Sequence, residues 1–404
     1  MKNNFEWKEY KIGELCWDTK NKYTKNKEYA ILLNTKDISK EKIQNHAPSL
    51  WKSANPHFKY ILEVGTIIYS KVAPIYKHFM YVKSVPKSKY SYVIADSFLI
   101  LSTNEKIVKS KFLYNILRNE NIIEHIHSEA ITRSTTLPWF NFSELSLLKV
   151  SIPPFEIQDK IIKITDSLDN KIETNEKIIE NLKFQILTLY RRYFVDVDIE
   201  QNIKTQGWKK QSLLHNDLCS VINARINKFE GDKEYFATAD VQHINIKNGR
   251  LVSSLTIPGR SSKQPILYSV WFSTLKDSSK HILLNNALKY LVENSLFSTD
   301  FAGLKCTQTT FEYIASYILF PLFEQIKSNL SHGSAQQRVI QDDFNNIPLI
   351  VPPKSIIENY HNLTKAMFEN LNTLLLENKK LEKLRDKLIT KLLNNELDLS
   401  KIKV

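Results

Sequence analysis

Residues 153–196 read PPFEIQDKIIKITDSLDNKIETNEKIIENLKFQILTLYRRYFVD, and this stretch decides the fold. After its two prolines it holds no further glycine or proline, which is typical of an uninterrupted helix. Its seam residues recur at steps of four and three, the spacing of helices that pack knobs into holes. The seam is formed by Ile157, Ile161, Ile164, Leu168, Ile172, Asn175, Ile179, Leu182, Ile186, Leu189 and Tyr193. The stretch therefore predicts a long helix that packs along a partner helix.

A second stretch of the same design covers residues 352–398 and reads PPKSIIENYHNLTKAMFENLNTLLLENKKLEKLRDKLITKLLNNELD. Its seam contains Ile357, Tyr360, Met367, Leu371, Leu374, Asn378, Leu381, Leu384, Leu388 and Leu392. A helix of about 37 residues is about 55 Å long, which exceeds the width of a small domain. We therefore expect the two helices to pair. The alternative is that each helix packs only on its own domain, as most amphipathic helices do.

The polar residues in the two seams predict how the helices are aligned. Asn175 and Asn378 would set the register, because a buried amide tolerates few partners. The residues predicted to form the coiled coil and its register are Leu168, Ile172, Asn175, Ile179, Leu182, Leu374, Asn378, Leu381, Leu384 and Leu388. An antiparallel pair would hold one domain at each end, and the helices would set the distance between them.

The sequence that precedes each long helix is repeated. Trp7-Lys8 recurs as Trp208-Lys209, Leu15-Cys16 recurs as Leu218-Cys219, and each copy ends in a Pro-Pro pair. The polar segment at residues 133–136 falls opposite residues 332–335 at the offset of that ending. Between these landmarks short apolar runs alternate with turns, which favours short strands with some helix. Residues 111–127 and 311–330 have helical spacing.

These patterns predict an α+β protein with two mixed α/β domains in a pseudo-twofold tandem repeat, and the resemblance described below implies that they are target-recognition domains. The domains would cover residues 1–152 and 197–351. Two long antiparallel coiled-coil helices, at residues 153–196 and 352–398, would separate and bridge them.

The composition favours a polyanionic partner. The 404 residues carry a formal net charge of +13, and positive charge attracts nucleic acid because phosphate neutralisation releases counterions. A lysine-rich chain from an AT-biased genome is the alternative. No stretch of the length and apolarity of a signal peptide or membrane span occurs, so we expect a cytoplasmic protein with no membrane partner. Cys16, Cys219 and Cys306 have no metal-ligand spacing and are expected to be buried thiols.

The motifs of nucleotide and metal chemistry are missing from the sequence. None of its eight glycines forms a GxGxxG or GxxxxGK[ST] pattern. Pro153-Pro154-Phe155 follows Ile152, where an adenine methyltransferase requires an amide or carboxylate. We therefore expect no catalytic residue, no metal site and no cofactor. A self-contained methyltransferase or nuclease with altered motifs remains the alternative.

Polar loops supply the candidate DNA-binding residues, since lysine and arginine bind phosphates or guanine edges and glutamine reads adenine. These residues are Lys20, Lys22, Lys71, Lys89, Arg133, Arg225, Arg260, Lys263, Lys280, Gln336, Gln337 and Arg338. The alternative for each loop is a solvated surface without a ligand.

The two helical stretches resemble those of the specificity subunits of type I restriction–modification systems. Residues 153–158, PPFEIQ, are similar to the family's Pro-Pro-Leu-Glu-Glu-Gln, and residues 391–398, KLLNNELD, resemble its C-terminal ending. Residues 332–337, HGSAQQ, before the second Pro-Pro pair, are also similar to a recurrent family segment. The chain departs from the family pattern at three places. Ile157 stands where the family has its second Glu, and Thr66 follows Gly65 where Asp is usual. Residues 354–357 lack the Glu-Gln pair.

The resemblance implies a non-catalytic chain that reads a bipartite duplex DNA target with a nonspecific spacer. It implies two methyltransferase subunits and restriction or translocase subunits as partners, which would bind S-adenosylmethionine, ATP and Mg. The chain itself would bind no cofactor. A subunit of a modification-only or type II-like system, and a coiled-coil scaffold without a nucleic-acid role, are the other readings.

Overall fold

The computed structural model describes residues 7–23, 28–39, 41–50, 57–134, 136–223, 226, 229–247, 249–257, 261–394 and 396. The chain divides into two compact units. The first unit comprises Met1–Asn170 with Glu382–Val404, and the second comprises Lys171–Leu381. Both divisions fall inside the long helices, so each unit contains part of both. The four-part division expected from the sequence stays a prediction.

The first unit is built from short strands and helices that precede the first long helix. Its strands are β1 (Lys8–Lys11), β2 (Cys16–Asp18), β3 (Tyr29–Leu33), β4 (Ile38–Ser39), β5 (Lys42–Ile43), β6 (Ser49–Leu50), β7 (Phe58–Ile61), β8 (Ile67–Ser70), β9 (Phe79–Tyr81), β10 (Tyr92–Ala95), β11 (Phe98–Thr103) and β12 (Lys149–Ile152). Its short helices are α1 (Ile12–Leu15), α2 (Ser110–Leu117), α3 (Glu120–Ile131) and α4 (Phe142–Leu145). The long helix α5 follows at Phe155–Phe194.

The second unit repeats this sequence of elements. After its part of α5 comes the short helix α6 (Ile199–Thr205). Its strands are β13 (Lys209–Ser212), β14 (Cys219–Val221), β15 (Asp232–Phe236), β16 (Val241–Gln242), β17 (Asn245–Ile246), β18 (Arg250–Ser253), β19 (Ser261–Lys263), β20 (Ser269–Ser273), β21 (His281–Leu284), β22 (Ser295–Ser298), β23 (Phe301–Cys306) and β24 (Pro348–Val351). Its other helices are α7 (Lys289–Asn294), α8 (Phe311–Leu319), α9 (Pro321–Leu330) and the long α10 (Lys354–Leu393).

The two units have the same sheet topology among their described strands. The order β6-β3-β10-β7 recurs as β18-β15-β22-β19, and in each sheet the two central strands are parallel. The order β2-β11-β8-β9 recurs as β14-β23-β20-β21. In each unit the first strand pairs antiparallel with the last, β1 with β12 and β13 with β24. The tandem repeat of a mixed α/β domain predicted from the sequence is confirmed.

Each helical region expected from apolar spacing consists of two helices in the structure. Residues 111–127 fall on α2 and α3, because Asn119 caps a new helix by accepting a hydrogen bond from the backbone of Asn121. Residues 311–330 fall on α8 and α9, because Pro321 begins the second of them. Spacing alone did not reveal these breaks, since the apolar residues of both helices in each pair enter the same core.

The long helices contain 40 residues each, and they pair antiparallel. In the second unit the hydroxyl of Tyr360 on α10 donates to the carbonyl of Ile186 on α5. Ile186 and Tyr360 lie in the core of this unit. In the first unit Ile161 of α5 and Leu392 of α10 share its core. The alternative that each helix packs only on its own domain is therefore wrong.

Buried amides fix the register of the helix pair in the second unit. The Asn175 side chain is fully buried, and its Nδ2 donates to Asn378 Oδ1 at 2.8 Å and to Glu377 Oε2 at 2.9 Å. Asn378 Nδ2 in turn donates to the carbonyl of Ile172 at 3.4 Å. A shift of either helix by one residue would break these bonds inside an apolar seam.

The remaining seam residues fall into three groups. Ile172, Ile179 and Leu374 are buried, and Leu168, Leu182, Leu381 and Leu388 are partly buried. Leu384, which the sequence placed in the seam, is 46% exposed. The neighbouring Arg385 pairs with Asp169 in the first unit, and Ile389 is buried.

A buried charge network joins the first unit to both long helices. Asp169 of α5 accepts from Arg118 Nη1 at 3.0 Å and from Arg385 Nη1 of α10 at 3.1 Å, while Lys111 Nζ lies 3.2 Å from its second oxygen. Glu41 contacts Arg118 at 3.3 Å. Burial acts to raise the pKa of Asp169, but the charges of Arg118, Lys111 and Arg385 outweigh it and hold that pKa below its usual value.

We expect Asn175→Ala to lower the free energy of unfolding by about 1–3 kcal/mol, because it leaves the buried Asn378 carbonyl without its donor. Asn181→Ala is the matched control, since Asn181 is an exposed residue of the same helix. Urea denaturation of the full chain measures both. Equal stability of the two variants would show that the buried amides do not hold the register.

The low pKa of Asp169 makes the first unit sensitive to acid. Because the folded pKa lies below the unfolded value of about 3.9, the stabilisation is complete above that pH and is lost as the pH falls through the folded pKa. We expect Asp169→Asn to cost about 3 kcal/mol at pH 7 and progressively less below about pH 4. Denaturation midpoints from pH 7 down to pH 3 test this. Asp159→Asn, at an exposed position of α5, should show neither effect, and parallel curves for the wild type and Asp169→Asn would contradict the network.

Candidate nucleic-acid interface

The structure brings some of the predicted DNA-binding residues of the first unit together. Lys71 stands after β8, and its Nζ donates to the carbonyl of Asp96 at 2.6 Å. Burial lowers the pKa of Lys71, the carboxylates of Asp18 and Asp96 oppose that change, and Lys20 and Lys59 add to it. Lys20 and Lys71, far apart in sequence, therefore lie in one group of charged residues that also contains Lys59, Asp18 and Asp96.

The other predicted residues of this unit are at its surface. Lys22, Lys89 and Arg133 are exposed. The ammonium of Lys89 lies 4.9 Å from the ring centre of Tyr90, and Arg133 forms an ion pair with Glu144. These contacts are local, and the role of the three side chains in DNA binding stays a prediction.

A junction of three chain segments lies beside Lys71. The first junction comprises residues 71–73, 97 and 138–140. The amide of Lys71 donates to the carbonyl of Ser97 at 2.9 Å, and the amide of Phe140 donates to the carbonyl of Lys71 at 2.9 Å. The amide of Ala73 donates to the carbonyl of Pro138 at 2.7 Å. These bonds hold Trp139 opposite Val72.

The second unit repeats this junction bond for bond. The second junction comprises residues 274–276, 300 and 337–339. The amide of Thr274 donates to the carbonyl of Asp300 at 2.8 Å, and that of Val339 donates to the carbonyl of Thr274 at 3.0 Å. The amide of Lys276 donates to the carbonyl of Gln337 at 3.0 Å. Arg338 lies opposite Leu275 and so takes the position of Trp139.

The polar side chains of the second junction hold one another in place. Arg338 Nη1 donates to Asp300 Oδ1 at 2.9 Å, and Arg338 Nη2 donates to Gln336 Oε1 at 3.2 Å. Lys276 Nζ donates to Gln337 Oε1 at 2.7 Å. Three predicted residues, Gln336, Gln337 and Arg338, thus meet at one place, together with Asp300 and Lys276.

Two further predicted lysines of this unit use their ammonium groups on the backbone. Lys280 Nζ donates to the carbonyl of Thr238 at 2.6 Å, and Lys263 Nζ donates to that of Ile222 at 3.5 Å. Burial lowers the pKa of both lysines. Arg225 and Arg260 lie outside the residues that the structure describes. The DNA-binding roles of all four stay predictions.

A buried lysine supports the loop of the second junction from beneath. The Lys327 side chain has no exposed surface, and its Nζ donates to the carbonyls of Ser273 at 3.0 Å and Ser278 at 2.9 Å. Glu324 pairs with it at 2.7 Å and also contacts His281 at 3.0 Å. Burial lowers the pKa of Lys327, and Glu324 opposes that shift.

Sequence reasoning missed Lys59, Trp139, Asp300 and Lys327. Trp139 carried a signal that could have found it, because the repeat aligns it with Arg338. Lys327 stands in a helical segment and Asp300 in a tight turn, where each looked like an ordinary solvated residue. Their partners come from distant segments, so no local pattern could reveal them.

The buried-thiol expectation is confirmed. Cys16, Cys219 and Cys306 are free and buried, and burial, with the nearby carboxylate of Asp18, raises the pKa of Cys16 to about 12. Within the described ranges, no three or more histidine, cysteine or acidic side chains are grouped so as to hold a metal ion. No helix in those same ranges has both the length and the apolarity needed to cross a membrane.

Two copies of one α/β unit, each with a junction whose backbone repeats and whose side chains differ, define a tandem-repeat binding protein. The first part of the chain is similar to the DNA specificity domain of type I restriction–modification systems. Residues 4–183 match the family model described as "Type I restriction modification DNA specificity domain". This match and the relatives below confirm the resemblance that the helical stretches indicated.

Two curated relatives and one solved structure are similar to this chain. The type I restriction enzyme HindI specificity subunit of Haemophilus influenzae is 23% identical over 473 residues, covering 97% of this chain and 100% of that protein. The MjaIX specificity subunit of Methanocaldococcus jannaschii is 24% identical, covering 72% of this chain and 69% of that one. The crystal structure of a type I system S subunit from M. genitalium has a TM-score of 0.51 at 14% identity, covering 97% of each chain, and this likeness concerns the fold.

We expect Lys327→Met to lower the free energy of unfolding by about 3 kcal/mol, because it leaves the buried Glu324 carboxylate without its ammonium partner. Amide hydrogen exchange at residues 274–280 should accelerate, since the loop loses two bonds. Lys305→Met is the control, as Lys305 is an exposed lysine of β23 in the same unit. Unchanged exchange in the Lys327 variant would refute the supporting role of this lysine.

Proposed function

We propose that this chain is the DNA sequence-specificity subunit of a type I restriction–modification complex. Its two units would read two half-sites of duplex DNA that are separated by a nonspecific spacer. The observation that carries the proposal is the repeated junction, in which the same backbone bonds present different side chains. A conserved frame with altered side chains is what two readers of different sequences require.

The charge of the chain supports a DNA ligand. The net charge is +13, and three lysines, Lys20, Lys59 and Lys71, lie with the carboxylates of Asp18 and Asp96 beside the first junction. Contacts from such lysines to phosphates position a protein on DNA, while side chains that reach base edges provide the specificity. Both kinds of contact are therefore available at the same place in the first unit.

The long helices would set the length of the spacer. Each is an unbroken run of 40 residues, and polar contacts to both helices occur in each unit. A rigid pair of helices of this length, about 60 Å by the helical rise, is suited to half-sites about one DNA turn or slightly more apart.

The chemistry of the complex would belong to partner subunits. The chain itself would be non-catalytic and bind no cofactor. Two methyltransferase subunits would supply S-adenosylmethionine chemistry on adenine, and restriction or translocase subunits would use ATP and Mg. The chain would act in the cytoplasm, where it meets the DNA that it reads.

Sequencing of methylated bases in the host genome, with and without this gene, tests the proposal. We expect a two-part adenine motif with an unspecified spacer, present only when the gene is present. A motif that survives deletion of the gene would contradict the proposal. Methyl transfer by the purified chain alone would instead indicate a self-contained methyltransferase.

A further inference from the structure

The two junctions present opposite chemistry at equivalent positions. The first exposes apolar side chains, with Leu137 59% and Trp139 46% exposed. The second exposes Gln336 and Gln337 and leaves Arg338 partly exposed. The bridges from Trp139 to Val72 and from Arg338 to Leu275 make the two positions structurally equivalent. The difference is therefore one of side chain and not of backbone.

Arg338 is arranged to recognise a planar acceptor. Its bonds to Asp300 and Gln336 use two of the five N–H donors of a guanidinium and fix its plane. Three donors take no part in those bonds. A guanidinium held in this way pays little entropy when it binds, and its fork fits the O6 and N7 acceptors of guanine in the major groove.

Glutamine at this junction is less suited to reading. Gln337 Oε1 accepts from Lys276 at 2.7 Å, and Gln336 Oε1 accepts from Arg338 at 3.2 Å. A glutamine that reads adenine needs both its oxygen and its nitrogen for the base. The two amides are thus better placed as supports than as readers.

The loop next to Arg338 is held by the buried ammonium group of Lys327. A fully buried ammonium such as that of Lys327 carries a desolvation penalty, which an apolar residue of similar size would avoid. Here the ammonium binds the carbonyls at both ends of residues 273–278. Such a contact is useful where the position of a loop matters, as in a binding site built on preorganised supports.

Trp139 exposes an apolar surface close to Lys71. Leu137 and Trp139 stand in the segment that pairs with Val72, next to Lys71. Ile75 and Tyr76, in the turn that follows, are also exposed. A patch of exposed apolar side chains on a folded protein is a typical sign of a binding surface. On DNA, apolar side chains recognise the C5-methyl group of thymine.

We propose that Trp139 and Arg338 are the specificity-determining residues of the two units, Trp139 for the methyl group of a thymine in one half-site and Arg338 for a guanine in the other. This inference rests on the proposed function and adds the chemistry by which each half-site is read. It also makes the two half-sites respond independently to substitution.

The test uses the full chain with its methyltransferase partners and measures binding to duplexes that carry the genomic motif. We expect Arg338→Ala to lose about 10- to 100-fold discrimination for guanine at one position, with the other half-site unaffected. Arg338→Lys should keep overall affinity but lose the same discrimination, because lysine lacks the fork. Arg250→Ala, an exposed arginine of β18 in the same unit, should leave the motif unchanged.

Base analogues identify the atoms that are read. With the wild-type chain, 7-deazaguanine at the guanine position and uracil at the thymine position should each weaken binding. Arg338→Ala should be insensitive to the first analogue only, and Trp139→Ala to the second only. Thermal unfolding of each variant shows whether it is folded, and the affinity for the unaltered half-site provides an internal reference.

Two results overturn the inference in different ways. If both variants weaken binding to all sequences equally and remain sensitive to both analogues, these residues do not read bases, while a two-part motif for the wild type leaves the proposed function standing. If the wild type itself yields no two-part motif, the proposed function fails and the inference fails with it.

Discussion

The structure depends on polar groups buried between the two long helices. Burying a polar side chain in an apolar seam without a partner costs free energy. Only the helix register that pairs such side chains avoids this cost, so the other registers are less stable. In the second unit the amides of Asn175 and Asn378 meet this condition. In the first unit Asp169 of α5 meets Arg385 of α10 and Arg118. The register of the helix pair is therefore specified once in each unit by different chemistry.

Because of this pairing, the core of each unit contains residues from distant parts of the chain. The core of the second unit includes Ile179 and Ile186 of α5 together with Tyr360 and Leu371 of α10. The core of the first unit is completed by Leu392. Neither globular region therefore completes its core from its own strands alone, and the helices are structural members of both units. At the two junctions the backbone bonds are the same, while the side chains at the equivalent position, Trp139 and Arg338, differ.

The sequence predicted the features that depend on local pattern. Seam spacing located both long helices, and paired landmarks such as Trp7 and Trp208 located the repeat. The pattern could not show that α2 ends before Asn119 or that Leu384 turns outward, because these outcomes depend on a cap and on the pairing of Arg385 with Asp169. Contacts between distant segments explain why Lys327 and Asp300 were missed. Lys20 and Lys71 were named separately, and only the fold shows that they are neighbours.

In the proposed function, a helix pair with a fixed register holds two readers of different sequences. The most direct test measures the affinity of the full chain, with its methyltransferase partners, for duplexes in which the spacer between the half-sites is lengthened one base pair at a time. Each added base pair turns the groove by about 34°, so affinity should peak at one spacer length and fall about tenfold or more within about two base pairs of it. Equal affinity at every spacer length would show that the helix pair does not fix the distance between the half-sites.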